Sequence, residues 1–442
     1  MAASHLYSLL EVLHLARPVF TQPTFLRFVV LFAGWVRCTG VHAVTEALVH
    51  SGISGLQHHA AFHRFFSRAR WSVDELGRRV LLQLCALRPG PLRLVLDDTL
   101  CSHKGPEVFG LGNHLDAVRS TRRVRVFGFG HVWVVLAVLV QPPLCSRPWA
   151  LPILFRLYRT HADCEAAGAQ HRKKTALGRE LVDRVLAWLP DAHLELVADS
   201  GYSNSTLLRG LPARVTFLGA LRDDAALSRP RKRPGRSRRT GRPLTKDIPV
   251  PKPAQLAQSS RLPWHTLSVH LYGVTRTVRY KQVVARWRAA GPRLLKIVIV
   301  QVDSGKLAYR CFFCTDCGCP VRRVLEAYAC RWAIEVLFRD LKQLLGFAAS
   351  RARTRLAVLR TAPWVGLNYS LLVLWYLHLE PQLHELGLPL RPWYRTKCTV
   401  SFADILRLAQ DTLAGVDWSD PARTLTRVLS SPSMAPPQAR AA

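Results

Sequence analysis

His193-Leu-Glu-Leu-Val-Ala198-Asp199-Ser-Gly201-Tyr202 is the stretch on which the fold turns. An apolar strand delivers an acidic residue at its end, and Gly201 opens the turn that follows. Upstream, Thr175 to Leu189 reads as an amphipathic helix, with Leu177, Leu181, Val185 and Trp188 on one side. Downstream, Arg214 to Leu221 reads as another strand. Further back, Leu92 to Leu96 is apolar and ends on Asp97-Asp98. His131 to Val140 and Ile153 to Tyr158 are β-branched or apolar runs that read as strands as well.

Three early strands, a helix, a strand and a further strand is the order of an RNase H-like fold. The expected class is therefore α/β: an RNase H-like mixed sheet flanked by helices. Residues 1–90 read as a helical N-terminal region, either a DNA-binding bundle or a plain scaffold. Within it, Ser72 with Glu75 forms a capping box that starts a helix running to about Leu87. Residues 91–221 form the first part of the core. Residues 222–297 hold a basic arm and a β-rich insertion, and residues 298–350 the second part of the core. A helical region follows over 351–430, and 431–442 is expected to be a disordered tail.

Charge narrows the partner. The chain has 62 Lys plus Arg against 29 Asp plus Glu, a formal charge of +33. Such a surplus repels itself unless a polyanion is bound. Nucleic acid is the obvious polyanion, with a membrane surface as the competing reading. The longest apolar run, Ala362 to Leu379, is interrupted by Pro363, Gly366, Asn368 and His378, which favours a buried core helix over a membrane span. Met1 to Pro18 lacks a basic region followed by a clean apolar core, so no targeting segment is expected. Eleven Cys in a chain read this way favour a reducing cytoplasm over a disulfide framework. Cys311, Cys314, Cys317 and Cys319 crowd one short segment, where small buried residues are a better reading than a zinc site.

Val321 to Phe347 reads as one long helix carrying Tyr328-Ala-Cys-Arg331-Trp-Ala-Ile-Glu335-Val-Leu-Phe-Arg-Asp-Leu-Lys342. At about 100° per residue, Tyr328, Arg331, Glu335 and Lys342 fall within about 60° of one another. One face then carries a carboxylate with two cations and a phenol. Trp332, Ile334 and Phe338 crowd the same helix, which argues against a simply solvated face. This Tyr-x2-Arg-x3-Glu-x6-Lys pattern resembles the signature of the insertion-sequence-four-like DDE transposases. The resemblance extends over about residues 90 to 350, and His63-Arg64-Phe65-Phe66-Ser67 also looks like such proteins.

The resemblance implies three metal-binding catalytic carboxylates: Asp97, Asp199 and Glu335. Val197-Ala198-Asp199-Ser200-Gly201-Tyr202 resembles the second acidic motif. The first lies in Leu94-Val95-Leu96-Asp97-Asp98-Thr99, where Asp98 remains the alternative. Neighbouring strand residues point to opposite faces, so one of the two should enter the site. Two Mg2+ ions per site are implied, with Mn2+ able to substitute. The family also implies double-stranded DNA as partner, both element ends and target, and a homodimer that pairs two ends. No membrane and no small-molecule substrate are expected. Arg331 and Lys342 should hold phosphates, and Tyr328 a phosphate or the terminal bases. Arg231, Lys232, Arg233, Arg238 and Arg239 form the basic arm, which reads as a linker or as a phosphate grip that orders on DNA. In relatives the β-rich insertion stacks a flipped base on an aromatic. Trp264 and Trp287 are the candidates here, with a place in the core as the other reading for each.

Overall fold

The structure is a computed structural model, and it describes residues 2–105, 107–116, 119–121, 123–231, 247–301, 309–379 and 399–430. The tail after residue 430 lies outside the described residues, as does most of the basic arm. In chain order the elements begin with helices α1 (Ala2–His14), α2 (Gln22–Arg37), α3 (Val44–His50), α4 (Ala60–Ser67) and α5 (Val73–Leu87). Strands β1 (Leu92–Ser102), β2 (Gly112–Leu115), β3 (Phe127–Val140) and β4 (Trp149–Tyr158) follow. Next come α6 (His161–Ala166), α7 (Lys174–Trp188), β5 (Leu194–Ala198), α8 (Ser205–Leu208) and β6 (Val215–Ala220). The insertion contains β7 (Leu227–Arg229), β8 (Ile248–Val250), α9 (Pro253–Gln258), β9 (His265–Leu271) and β10 (Val274–Trp287). Then β11 (Leu294–Gln301), β12 (Tyr309–Cys314), α10 (Val321–Cys330), α11 (Trp332–Leu344), α12 (Arg355–His378), α13 (Phe402–Leu413) and α14 (Pro421–Leu429) complete the chain.

The chain divides into two compact units. One holds residues 1–90, 98–177 and 333–442; the other holds 91–97 and 178–332. The fold is mixed α/β, with parallel and antiparallel strand pairs and flanking helices. Strand β1 contributes residues to each unit. The strand expected over Leu92 to Leu96 runs on to Ser102; its residues 91–97 belong to the unit of β5 and β6, and residues from 98 onward to the unit of β3 and β4.

In the first unit, the N-terminal and C-terminal helices share one core with β3 and β4. Helix α5 starts where expected, because the Ser72 hydroxyl accepts the Glu75 N–H at 3.2 Å. The aromatic run of α4 faces inward: Phe65 and Phe66 are buried and pack edge-on against Trp364 of α12. Arg360 of α12 then closes the end of α4, donating to the carbonyls of Phe66, Ala69 and Trp71. Helix α12 contains the longest apolar run and is buried over most of its length. Its Ser370 hydroxyl donates to Pro152 O of β4 at 2.7 Å. No helix among the described residues is long and apolar enough to cross a membrane.

In the second unit, β1 pairs in parallel with β5, and β5 in parallel with β6. The order continues through β12, β11, β10, β7 and β8, with β9 hairpinned onto β10. Residues 222–297, expected to be β-rich, hold β7 to β10 and the start of β11 among the described residues. Helix α10 packs over this sheet through Val324, Leu325 and Ala327, against Val197, Leu218, Val298 and Cys314.

The helix anticipated over Val321 to Phe347 is two helices. Arg331 stands at the joint, where its N–H bonds Tyr328 O at 3.1 Å, a three-residue step tighter than an α-turn. The second helix also stops early. Gly346 takes φ +66, and the Phe347 N–H reaches back to Leu341 O, which caps the end as a left-handed glycine does. A uniform angular count from Tyr328 to Lys342 therefore does not hold. Ile334 and Phe338 are buried as anticipated, but Trp332, beside the joint, is 46% exposed.

Candidate active site

Register builds the site of the second unit. Leu96 of β1 pairs with Ala198 of β5, and the next residue on each is acidic: Asp97 and Asp199. Adjoining strands run about 4.8 Å apart, so two carboxylates leave neighbouring parallel strands at one level. Both side chains are half-buried. Asp199 shapes its own turn: its Oδ1 accepts the N–H of Gly201 at 2.9 Å and of Tyr202 at 3.2 Å. Asp97 Oδ2 accepts from Arg331 Nη1 at 2.9 Å.

Tyr328 completes this group. Its ring packs on Phe312 at 4.6 Å between centroids, and Arg331 Cζ lies 5.9 Å from its centre. Burial raises the phenol pKa above its ordinary value, the Arg331 guanidinium draws it down, and the Asp199 carboxylate pushes it up. The phenol is thus held protonated, as a hydrogen-bond donor. Tyr272, in the turn between β9 and β10, also pushes the Tyr328 phenol up. Its backbone is at φ +54 and its side chain is 62% exposed. Sequence reading missed Tyr272; the only signal available was its place before Gly273 in a tight hairpin turn.

In the first unit, Asp98 turns the other way from Asp97 and meets Lys174 Nζ at 2.7 Å. Glu335 is half-buried on the first turn of α11. Two turns on, Lys342 Nζ donates to Leu100 O of β1 at 2.8 Å, fastening the helix to the strand.

The aromatic candidates of the insertion separate. Trp287 is 8% exposed and packs on Phe313, a core position. Trp264 is half-buried beneath two cations, Lys281 Nζ at 4.6 Å and Arg279 Cζ at 5.6 Å from its ring centre. Of the arm, Arg231 is described and exposed; Lys232, Arg233, Arg238 and Arg239 lie outside the described residues.

Among the described residues no group of three or more His, Cys, Asp or Glu side chains stands ready to hold an ion. Asp97 and Asp199 nonetheless offer hard carboxylate oxygens, the donor type that Mg2+ takes. The Arg331 guanidinium already sets a cation against Asp97. The residues fit a divalent ion in chemistry.

Two carboxylates at one level of neighbouring parallel strands, with an arginine and a neutral phenol beside them, are groups suited to meeting a divalent cation and a phosphodiester. The sequence model of a family described as DDE superfamily endonuclease matches residues 17–282, more than half of the chain, and the chain belongs to that family. The matched span includes Asp97 and Asp199 and ends before α11. Members of that superfamily generally use divalent metal ions. No protein of curated function matches the sequence. Among solved structures, a piggyBac transposase in a synaptic complex with hairpin DNA, seen by cryo-electron microscopy, is similar at a TM-score of 0.44. The two are 12% identical, and the similarity covers 94% of this chain and 77% of that one.

Proposed function

We propose that the protein is a transposase of the insertion-sequence-four-like group, which cuts DNA at the terminal inverted repeats of its own mobile element and joins the freed ends to target DNA. The observation that carries this reading is the placement of Asp97 and Asp199 after a register-matched pair on adjoining parallel strands, with Arg331 and Tyr328 beside them. Glu335 is the third carboxylate. Asp97, Asp199 and Glu335 are the residues that would hold two Mg2+ ions, or Mn2+. When bound, such ions activate a water or 3′-hydroxyl and neutralise charge on the scissile phosphate.

The chain's own groups do the rest. Arg331 exchanges Asp97 for a DNA phosphate, since a guanidinium grips either oxyanion in the same fork. Tyr328 keeps its proton and donates a hydrogen bond to a phosphate oxygen or to the terminal bases. Lys342 fixes α11 and adds positive charge. Arg231, Lys232, Arg233, Arg238 and Arg239 hold phosphates along the duplex, and their release of counterions makes affinity fall steeply with salt. A homodimer pairs the two element ends. The protein works in the cytoplasm, on the chromosome.

The test is incubation with Mg2+ and duplex carrying the flanking inverted repeats. Joined products support the proposal. Nicks without joining point instead to a nuclease lacking strand transfer, and gel shifts without nicks to a DNA-binding protein with an inactive core.

A further inference from the structure

Strand β3 opens with Phe127-Gly128-Phe129-Gly130, and its inward and outward residues are reversed from the usual pattern. In a ribbon with one solvated face, apolar side chains ordinarily turn inward. Here the glycines do. A Cβ on Gly130 would lie 2.0 Å from Cys101 O, and one on Gly128 2.8 Å from Leu100 Cδ2. At Gly130 the Cys101 carbonyl leaves room for hydrogen alone, at Gly128 the end of the Leu100 side chain fills the space, and the aromatic rings are left outside. Phe127 is 56% exposed and Phe129 49%. Leu115 pairs with Phe127 across the ribbon and so shares its face, where it is 49% exposed. Among the described residues the partner strand β2 ends the strand order, with no further strand beside it.

The ribbon's tip has its own chemistry. Residues 116–126 include four Arg and one Asp. Arg119 is drawn toward Asp116 at 3.8 Å. Arg123 and Arg125 are exposed, and no carboxylate among the described residues pairs with either. An apolar face of this kind marks a contact site. A second copy docking symmetrically on it would bring like arginines together. A polyanion with flat apolar surfaces between its charges suits it better, and duplex DNA is that polymer.

We propose that the β2–β3 ribbon is a duplex DNA contact of its own, separate from the carboxylates. Phe127 and Phe129 press between base steps from the minor groove, and Arg123 and Arg125 hold the flanking phosphates. The inference rests on the DNA reading above and adds to it a wedge that bends or unstacks the duplex.

The full-length protein is titrated into fluorescently labelled duplex over a range of salt, with circular dichroism as the check on folding. Phe127→Ala/Phe129→Ala is expected to weaken binding about tenfold or more at one salt. Arg123→Ala/Arg125→Ala is expected to flatten the slope of log affinity against log salt by about 1.8. Phe127→Trp should keep affinity and show indole quenching on duplex. If wild type binds duplex while the double-Phe variant binds equally well, and the indole is not quenched, the wedge is overturned and the wider DNA reading stands. If wild type does not bind duplex, both fall. Loss of self-association, or of binding to anionic vesicles, with duplex affinity intact also overturns the wedge, because it gives the face to a second copy or to lipid.

Discussion

Arg331 Nη1 donates to Asp97 Oδ2 across 2.9 Å, joining residues 234 apart in the chain. Their side chains are 17% and 16% exposed, so the pair is screened far less than a surface ion pair. A cation already in place must be displaced before a metal ion can use that oxygen. Arg331→Met should therefore tighten Mn2+ binding to the DNA-free protein by about fivefold, while lowering DNA cleavage about a hundredfold. Isothermal titration with Mn2+ reads the first effect. An unchanged affinity would show that guanidinium and metal do not compete for Asp97.

Three substitutions test the acidic set. Asp97→Asn, Asp199→Asn and Glu335→Gln should each reduce cutting by about a thousandfold, with gel-shift affinity for element ends kept within about twofold of wild type. A variant that still cuts at the wild-type rate removes its residue from the set.

Asp98 provides the control. Its partner Lys174 is 39% exposed, so their ion pair contributes at most about 1 kcal/mol. Asp98→Asn should shift the urea midpoint slightly and leave cutting within about threefold of wild type. A loss as deep as that of Asp97→Asn would hand the role to Asp98.

The first unit should weaken in mild acid. His131 is 7% exposed, its Nε2 lies 2.9 Å from Phe109 O, and it stacks on His103. Burial pulls its pKa below the ordinary 6.5; the Phe109 carbonyl raises it, His103 and His114 lower it further, and Asp163 raises it. Burial also lowers the pKa of His103 and of His114. The folded state then binds fewer protons than the unfolded chain. Stability is full above the unfolded value and is lost as pH falls below about 6.5 toward the folded values. A melting temperature flat between neutral and mildly acid pH, followed by differential scanning fluorimetry, would contradict this.

Much of the core was legible because its signals are local. The end of β5 before Asp199, the cap at Ser72 and the apolar run of α12 each depend on neighbours a few residues away, whereas the strand end expected at Asp97 did not hold, because β1 runs on to Ser102. The break at Arg331 was not legible: a good helical pattern runs straight through it, and the tighter step shows only in which carbonyl its N–H reaches. The outward rings of Phe127 and Phe129 were hidden for a related reason. Alternation with glycine marks a strand but not which face is closed, and Cys101 O, from another strand, closes it.

Taken alone, the sequence determined the apolar runs that become β1, β3, β4, β5 and β6, the amphipathic pattern of α7, and a positive charge surplus that an anionic partner would relieve. These follow from periodicity and composition, which need no knowledge of neighbours in space. Only the tertiary structure decided that Leu96 and Ala198 share a register, that Arg331 meets Asp97, and that Lys174 meets Asp98. Those pairings join residues 234 and 76 positions apart in the last two cases. At such separations strand pairing and helix docking select the partner, and local propensity does not encode it.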